Sequence, residues 1–170
     1  MKKIFILLLL LLLNSCSQFN QPNIKINLPS GYEIEQSSDP YNILTAYKHS
    51  EGEVVSMIEI KYSDDWSFSQ FSNEEYVREA LNTNSIEDAA SIMFKNFRVS
   101  IKKEMYFKNL GNCFYLVYSG ENYENGVRVT NLVVQFIKNN KLFTLVGSAL
   151  PSTFPGEHKQ FLNSFETISF

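Results

Sequence analysis

Apolar and polar positions change period along this chain, and the changes mark its elements. Residues 24–28 alternate in the manner of a half-buried strand, and Pro29-Ser30-Gly31 turns the chain into a second run over 32–36. After the turn Ser37-Ser38-Asp39-Pro40, residues 43–48 and 54–62 predict a hairpin across Glu51-Gly52. In its second arm Val54, Ile58, Ile60 and Tyr62 share one face, with Glu59 and Lys61 on the other. Ser63-Asp64-Asp65-Trp66-Ser67 is a loop. The period then lengthens. Ser72 and Glu75 have the spacing of a capping box, and Phe71 and Tyr76 that of a hydrophobic staple. The pattern slips at Asn82-Thr83-Asn84, and Ser85 recaps a segment whose apolar face is Ile86, Ala89, Ala90, Met93 and Phe97. Two helices, or one bent helix, are expected between Ser72 and Asn96.

The second half reads as strand after strand. Residues 99–107 alternate, with Val99, Ile101, Met105 and Phe107 on one side, and residues 113–119 are almost wholly apolar. A polar connection over 120–126 leads to runs at 127–138 and 141–149 around Asn139-Asn140, a two-residue hairpin signal. Leu132-Val133-Val134 and residues 143–146 have no polar face, which predicts central strands covered on both sides. A turn-rich stretch over 151–156 precedes a closing helix with Phe161, Leu162, Phe165 and Ile168 as its stripe. Strands, helices, strands, helix: the order predicts an α+β fold, a mostly antiparallel sheet flanked by helices.

The first residues follow another logic. Lys2 and Lys3 precede an apolar run over 4–13, about half of the roughly 20 residues that a spanning helix needs. Ten residues fit the apolar region of a signal peptide. Leu13-Asn14-Ser15-Cys16 resembles the lipobox of bacterial lipoproteins, in which the cysteine is acylated and becomes the first residue of the mature chain. The resemblance implies a leader over 1–15, a lipidated Cys16 with a tether to residue 23, and one α+β domain over 24–170. Ser17, where aspartate would retain a lipoprotein in the inner membrane, implies the outer membrane, with the domain facing the periplasm. Extended, residues 17–23 reach about 25 Å, so the domain stays close to its membrane.

Charge narrows the partners. Removing Lys2 and Lys3 with the leader takes the 15 basic residues to 13 against 18 acidic ones, a net charge of −5. No basic face is available for a nucleic acid, and none for electrostatic docking to anionic lipids. With Cys16 acylated, Cys113 has no intramolecular partner, and its apolar setting makes it a buried thiol that packs as a small hydrophobe.

The layout from residue 24 onward resembles the PsbP-like family, including its DcrB-type bacterial domains. The residues that carry the resemblance are Ile26, Leu28, Pro29, Gly31 and Tyr32 at the start, the long hairpin over 127–149, and Phe161-Leu162-Asn163-Ser164-Phe165 in the closing helix. It implies an α/β/α sandwich and a binding or assembly role with no shared catalytic site.

Candidate chemistry is sparse. His49 with Glu51 and Glu53 could offer a metal three ligands, but a charged turn is more simply solvated, and no metal is expected there. Glu157 suits a helix start, and His158 beside it reads as a surface residue. Asp64-Asp65-Trp66 lacks the alternating acids and the glycine of a calcium loop, and reads as an exposed loop anchored by its aromatic. There is no G-x-S-x-G elbow and no phosphate-binding glycine loop. No catalytic residue and no cofactor is therefore expected. The expected function is a membrane-anchored lipoprotein of the cell envelope, a non-enzymatic binding or assembly module with a protein partner. The alternative is a small-ligand carrier or an unrecognised envelope hydrolase.

Overall fold

The computed structural model describes residues 21–170, so the expectations for the leader and for Cys16 lie outside the described residues. Seven strands form one antiparallel sheet: β1 (Tyr32–Glu35), β2 (Asn42–Ser50), β3 (Glu53–Ser63), β4 (Phe94–Phe107), β5 (Gly111–Asn122), β6 (Arg128–Lys138) and β7 (Lys141–Ala149). Their order across the sheet is β1-β2-β3-β7-β6-β5-β4. Two meanders, one of three strands and one of four, thus meet where β3 pairs with β7, Ser56 opposite Ala149 and Tyr62 opposite Phe143. The expected α+β class and the central placement of the polar-free strands are both found.

Short connections set the register. Glu51 and Gly52 have φ of 54° and 85°, and Asn139 and Asn140 have 52° and 60°. Two consecutive positive φ values suit the right-handed twist of a two-residue hairpin, and asparagine and glycine tolerate them best. One end of the sheet therefore carries the Glu51-Gly52 turn and the 123–127 connection. The other carries the Asn139-Asn140 turn, the 108–110 turn and the loop around Trp66. The described chain begins at this second end, where Gln21 Nε2 donates to the Pro40 carbonyl at 3.0 Å.

Helices cover both faces. On one, α3 (Phe154–Glu166) buries Phe161 and Phe165 against Phe107, Tyr115, Phe136 and Phe143. Residues 24–28 flank it with their odd positions exposed and Ile24, Ile26 and Leu28 turned inward. They alternate as expected but form no strand, because their one ladder contact is Lys25 with Ser169. On the other face, α1 (Asn73–Asn82) and α2 (Ser85–Met93) pack Ala80 and Ala90 over Phe114, Leu116, Tyr118 and Val133. The result is the expected three-layer α/β/α arrangement.

Several local expectations need correction. The Ser72/Glu75 capping box is present, but Tyr76 meets the ring of Phe68, centroids 6.3 Å apart, while Phe71 is 41 % exposed. Asn84 rather than Ser85 caps α2, without a side-chain bond. That helix ends at Met93 and turns directly into β4. Ala89 and Met93 are consequently exposed, and Phe97 packs from a strand. Val99 does not share a side with Ile101: it lies opposite Tyr118, whereas Ile101 lies opposite Val117. A bulge between them inserts one residue, and one residue inverts the facing of a strand.

Candidate binding face

Seven strands at roughly 4.8 Å spacing span about 29 Å. Two helices side by side, each about 10 Å across, cover about two thirds of that width. α1 and α2 pack on β4, β5 and β6, and Val146 of β7 packs against the core beneath them, so on this face β2 and β3 carry no helix. The residues there suit partial exposure. Tyr47 comes from β2, Val55, Met57, Glu59 and Lys61 from β3, and Ser148 from β7, while Thr45 of β2 is buried among them. Glu59 and Lys61 pair at 3.0 Å, and Asn42 Nδ2 donates to Glu59 Oε1 at 3.2 Å. Toward the end that carries the Glu51-Gly52 turn, the polar ladder gives way to a cleft of about 290 Å³ between the bare strands and the 123–127 connection. Tyr47, Val55, Met57, Val129 and Leu150 make it largely apolar, and Asn122, Asn125 and Ser148 add polar groups. Its rim is apolar as well. Met93 is 57 % exposed, its carbonyl accepts from Tyr123 N–H at 3.2 Å, and Val127 reaches into the cleft.

No family model matches the sequence, and no curated protein sequence matches it. Solved structures share the architecture. LpqN, described as involved in cell envelope biogenesis of Mycobacterium tuberculosis, superposes with a TM-score of 0.58 at 14% identity, over 88% of this chain and 83% of that one. A protein of Bacteroides thetaiotaomicron VPI-5482 gives 0.54 at 13% identity over 86% of this chain, which spans 44% of that longer one. The cyanobacterial PsbP, CyanoP, of Synechocystis sp. PCC 6803 gives 0.50 at 13% identity, over 91% of this chain and 96% of that one. The chain has a PsbP-like fold. At these identities the likeness concerns the fold alone.

Within the PsbP-like frame the sequence candidates fall apart in space. His49 lies exposed near the tip of the β2–β3 hairpin, its ring 6.4 Å from that of Tyr47. Among the described residues no three His, Cys, Asp or Glu side chains are grouped as metal ligands. His158 is not the free surface residue expected. It is half-buried, its Nε2 lies 2.6 Å from the Tyr115 hydroxyl, and Phe154 packs on its ring. Burial, and then the positive charge of Lys103, hold its pKa below the ordinary histidine value. Neither histidine lines the cleft. Trp66 does not anchor its loop but stands 73 % exposed. Asp65 next to it caps a short 3-10 turn by accepting from Ser67 N–H at 2.9 Å, and Asp64 lies 3.7 Å from Lys141. Cys113 is fully buried in the core, as expected, and burial pushes its thiol up to about 12, so it stays protonated and inert at neutral pH.

One polar cluster had no signal in the sequence. Glu157, in the first turn of α3, accepts from Lys48 Nζ at 2.6 Å and from the Tyr32 hydroxyl at 2.8 Å. The Tyr32 oxygen lies 2.5 Å from Ser56 Oγ, which donates to the Ser148 carbonyl at 3.1 Å. Burial drives the Tyr32 phenol well above its usual range, with Ser56 opposing and Glu157 adding to the rise. A phenol so held neither loses its proton nor acts as a base. The cluster ties β1, β2 and β3 to α3. Its residues are distant in sequence, so no spacing could have announced it.

Proposed function

We propose that the chain is a lipoprotein of the cell envelope, held at a membrane through Cys16. On this reading the leader ends before Cys16, and the domain faces the periplasm from the outer membrane. It binds a protein partner through the bare half of its sheet and carries out no chemistry of its own. The observation that carries the binding role is the cleft beside Tyr47, Val55 and Met57, an apolar surface that no helix covers. The polar pair beside it, Glu59 with Lys61, suits the rim of a protein interface. A carrier or hydrolase expects a deeper enclosure. Pockets that bury a small ligand run from about 300 to 1,000 Å³, and this cleft is open and at the small end. The fold it shares with LpqN, a protein of envelope biogenesis, supports an envelope role.

A photo-crosslinker at Met57, in cells expressing the full chain, should capture one partner repeatedly. The same group at the exposed Glu166, on the α3 side, should not. A Met57→Glu change should weaken capture from a second crosslinker at Val55 about tenfold, as loss of an interface anchor does. Equal capture from Met57 and Glu166, or none from Met57, would overturn the assignment of this face.

A further inference from the structure

Exposed aromatic side chains are not spread evenly, whereas exposed aliphatic ones such as Val54, Met93 and Val127 lie toward the cleft end. Among the described residues the exposed aromatics are Tyr41 (38 %), Trp66 (73 %), Phe71 (41 %), Tyr106 (67 %), Tyr123 (54 %) and Phe170 (40 %). All but Tyr123 lie at the end of the sheet where the described chain begins. Tyr41 accepts from Tyr62 N–H beside the start of β2, and Tyr106 lies opposite Asn112 at the β4–β5 turn. Trp66 follows the end of β3, where Ser63 pairs with Leu142. Phe71 precedes Asn73, whose side chain bonds to Asn112 and Ile137 next to the two turns. Phe170 packs edge-on against Phe143, ring centroids 4.9 Å apart, with Lys138 Nζ 4.2 Å over its ring.

We infer that this end is a membrane-seating surface, with Trp66 and its aromatic neighbours in the headgroup layer of the bilayer that holds the chain. The inference rests on the anchoring reading of Cys16. From Cys16 to Gln21 there are five residues, which reach at most about 18 Å when extended. Gln21 is fixed at this end by Pro40, so an acylated Cys16 lies within that reach of the corner of this end beside Tyr41. Tryptophan and tyrosine place an apolar ring and a polar atom in one side chain, which suits the boundary between hydrocarbon and water. The charges here are mixed, Lys108, Lys138 and Lys141 against Asp39, Asp64 and Asp65. Contact is therefore made by rings at a lipid interface, not by attraction to anionic headgroups. The bare half of the sheet, with its cleft toward the opposite end, is left clear of the bilayer.

Trp66 is the one tryptophan of the chain, so its fluorescence reports the contact directly. The full lipidated protein is reconstituted into phosphatidylcholine vesicles, and attachment is checked by flotation. Trp66 emission should shift to the blue, be quenched by phosphatidylcholine brominated near the headgroup, and be shielded from aqueous iodide. In the double variant Trp66→Phe/Tyr123→Trp the emission should stay open to iodide and indifferent to bromine. If the protein floats with the vesicles while Trp66 remains open to iodide and unquenched by lipid, the seating inference is overturned and the anchor stands. Shielding of Trp66 that appears only when envelope proteins are added overturns it in favour of a protein contact. Failure to float removes the anchor and the inference together.

Discussion

Glu157 holds two bonds from groups far away in the sequence, Lys48 Nζ at 2.6 Å and the Tyr32 hydroxyl at 2.8 Å, while itself buried. A buried carboxylate that loses a charged donor keeps its desolvation cost. Lys48→Ala should therefore destabilise the fold by about 1.5–3 kcal/mol, the scale of a hydrogen bond to a charged group. Urea unfolding measures it, and a change below half a kilocalorie would show that solvent replaces the lysine. His158 makes a pH-dependent contribution. Its folded pKa lies below the ordinary value, so the unfolded chain takes up the proton more readily. The stabilising effect is complete above the ordinary histidine value of roughly 6.5. It is lost as pH falls from there through the lowered folded value. Wild type should lose stability relative to His158→Gln as pH drops from about 7.5 to about 5. Parallel pH profiles for the two proteins would contradict this account.

Gly147 is where α3 meets the sheet. A Cβ built there would lie 2.4 Å from Phe161 Cδ2, in a ring that is itself fully buried. Gly147→Ala should cost about 1–3 kcal/mol through overpacking, read as a lowered urea midpoint, and Phe161→Leu should recover part of the loss in the double variant. A neutral Gly147→Ala would mean that α3 slides freely on β7. Such elements separate what the sequence discloses from what it hides. The Ser72/Glu75 cap and the Asn139-Asn140 turn were legible because their signals act within four residues. The polar-free runs of β6 and β7 announced central strands because burial on both faces leaves no other composition. The inversion at Val99 was hidden: Asn96 at φ 53° and two register shifts depend on how β4 meets β5, not on β4 alone. The abrupt passage from α2 to β4 was hidden too, because Phe94 and Phe97 continue the helical stripe while packing from a strand on Tyr118. The binding face was only half legible. Glu59 and Lys61 were assigned to one side of β3, but nothing in β3 tells that α1 and α2 stop short of it.

The whole molecule joins an aromatic-rimmed end, where the described chain starts, to an apolar cleft toward its other end. Cys16→Ala tests the anchor on which that arrangement depends. The variant should lose acyl labelling and leave the membrane fraction, with its urea midpoint unchanged, since the core described above closes from residue 24 onward. Retention in the membrane fraction would remove the lipoprotein reading. The seam between β3 and β7 has a consequence in time. β3 is made early and has β2 on one side, but its other side waits for Ser56 to meet Ala149 near the end of the chain. Until then Ile58 and Ile60, both fully buried in the finished protein, border an open backbone edge. An unfinished chain thus carries a sticky ribbon that only its own last strand can close. Premature release would favour pairing between chains over completion within one.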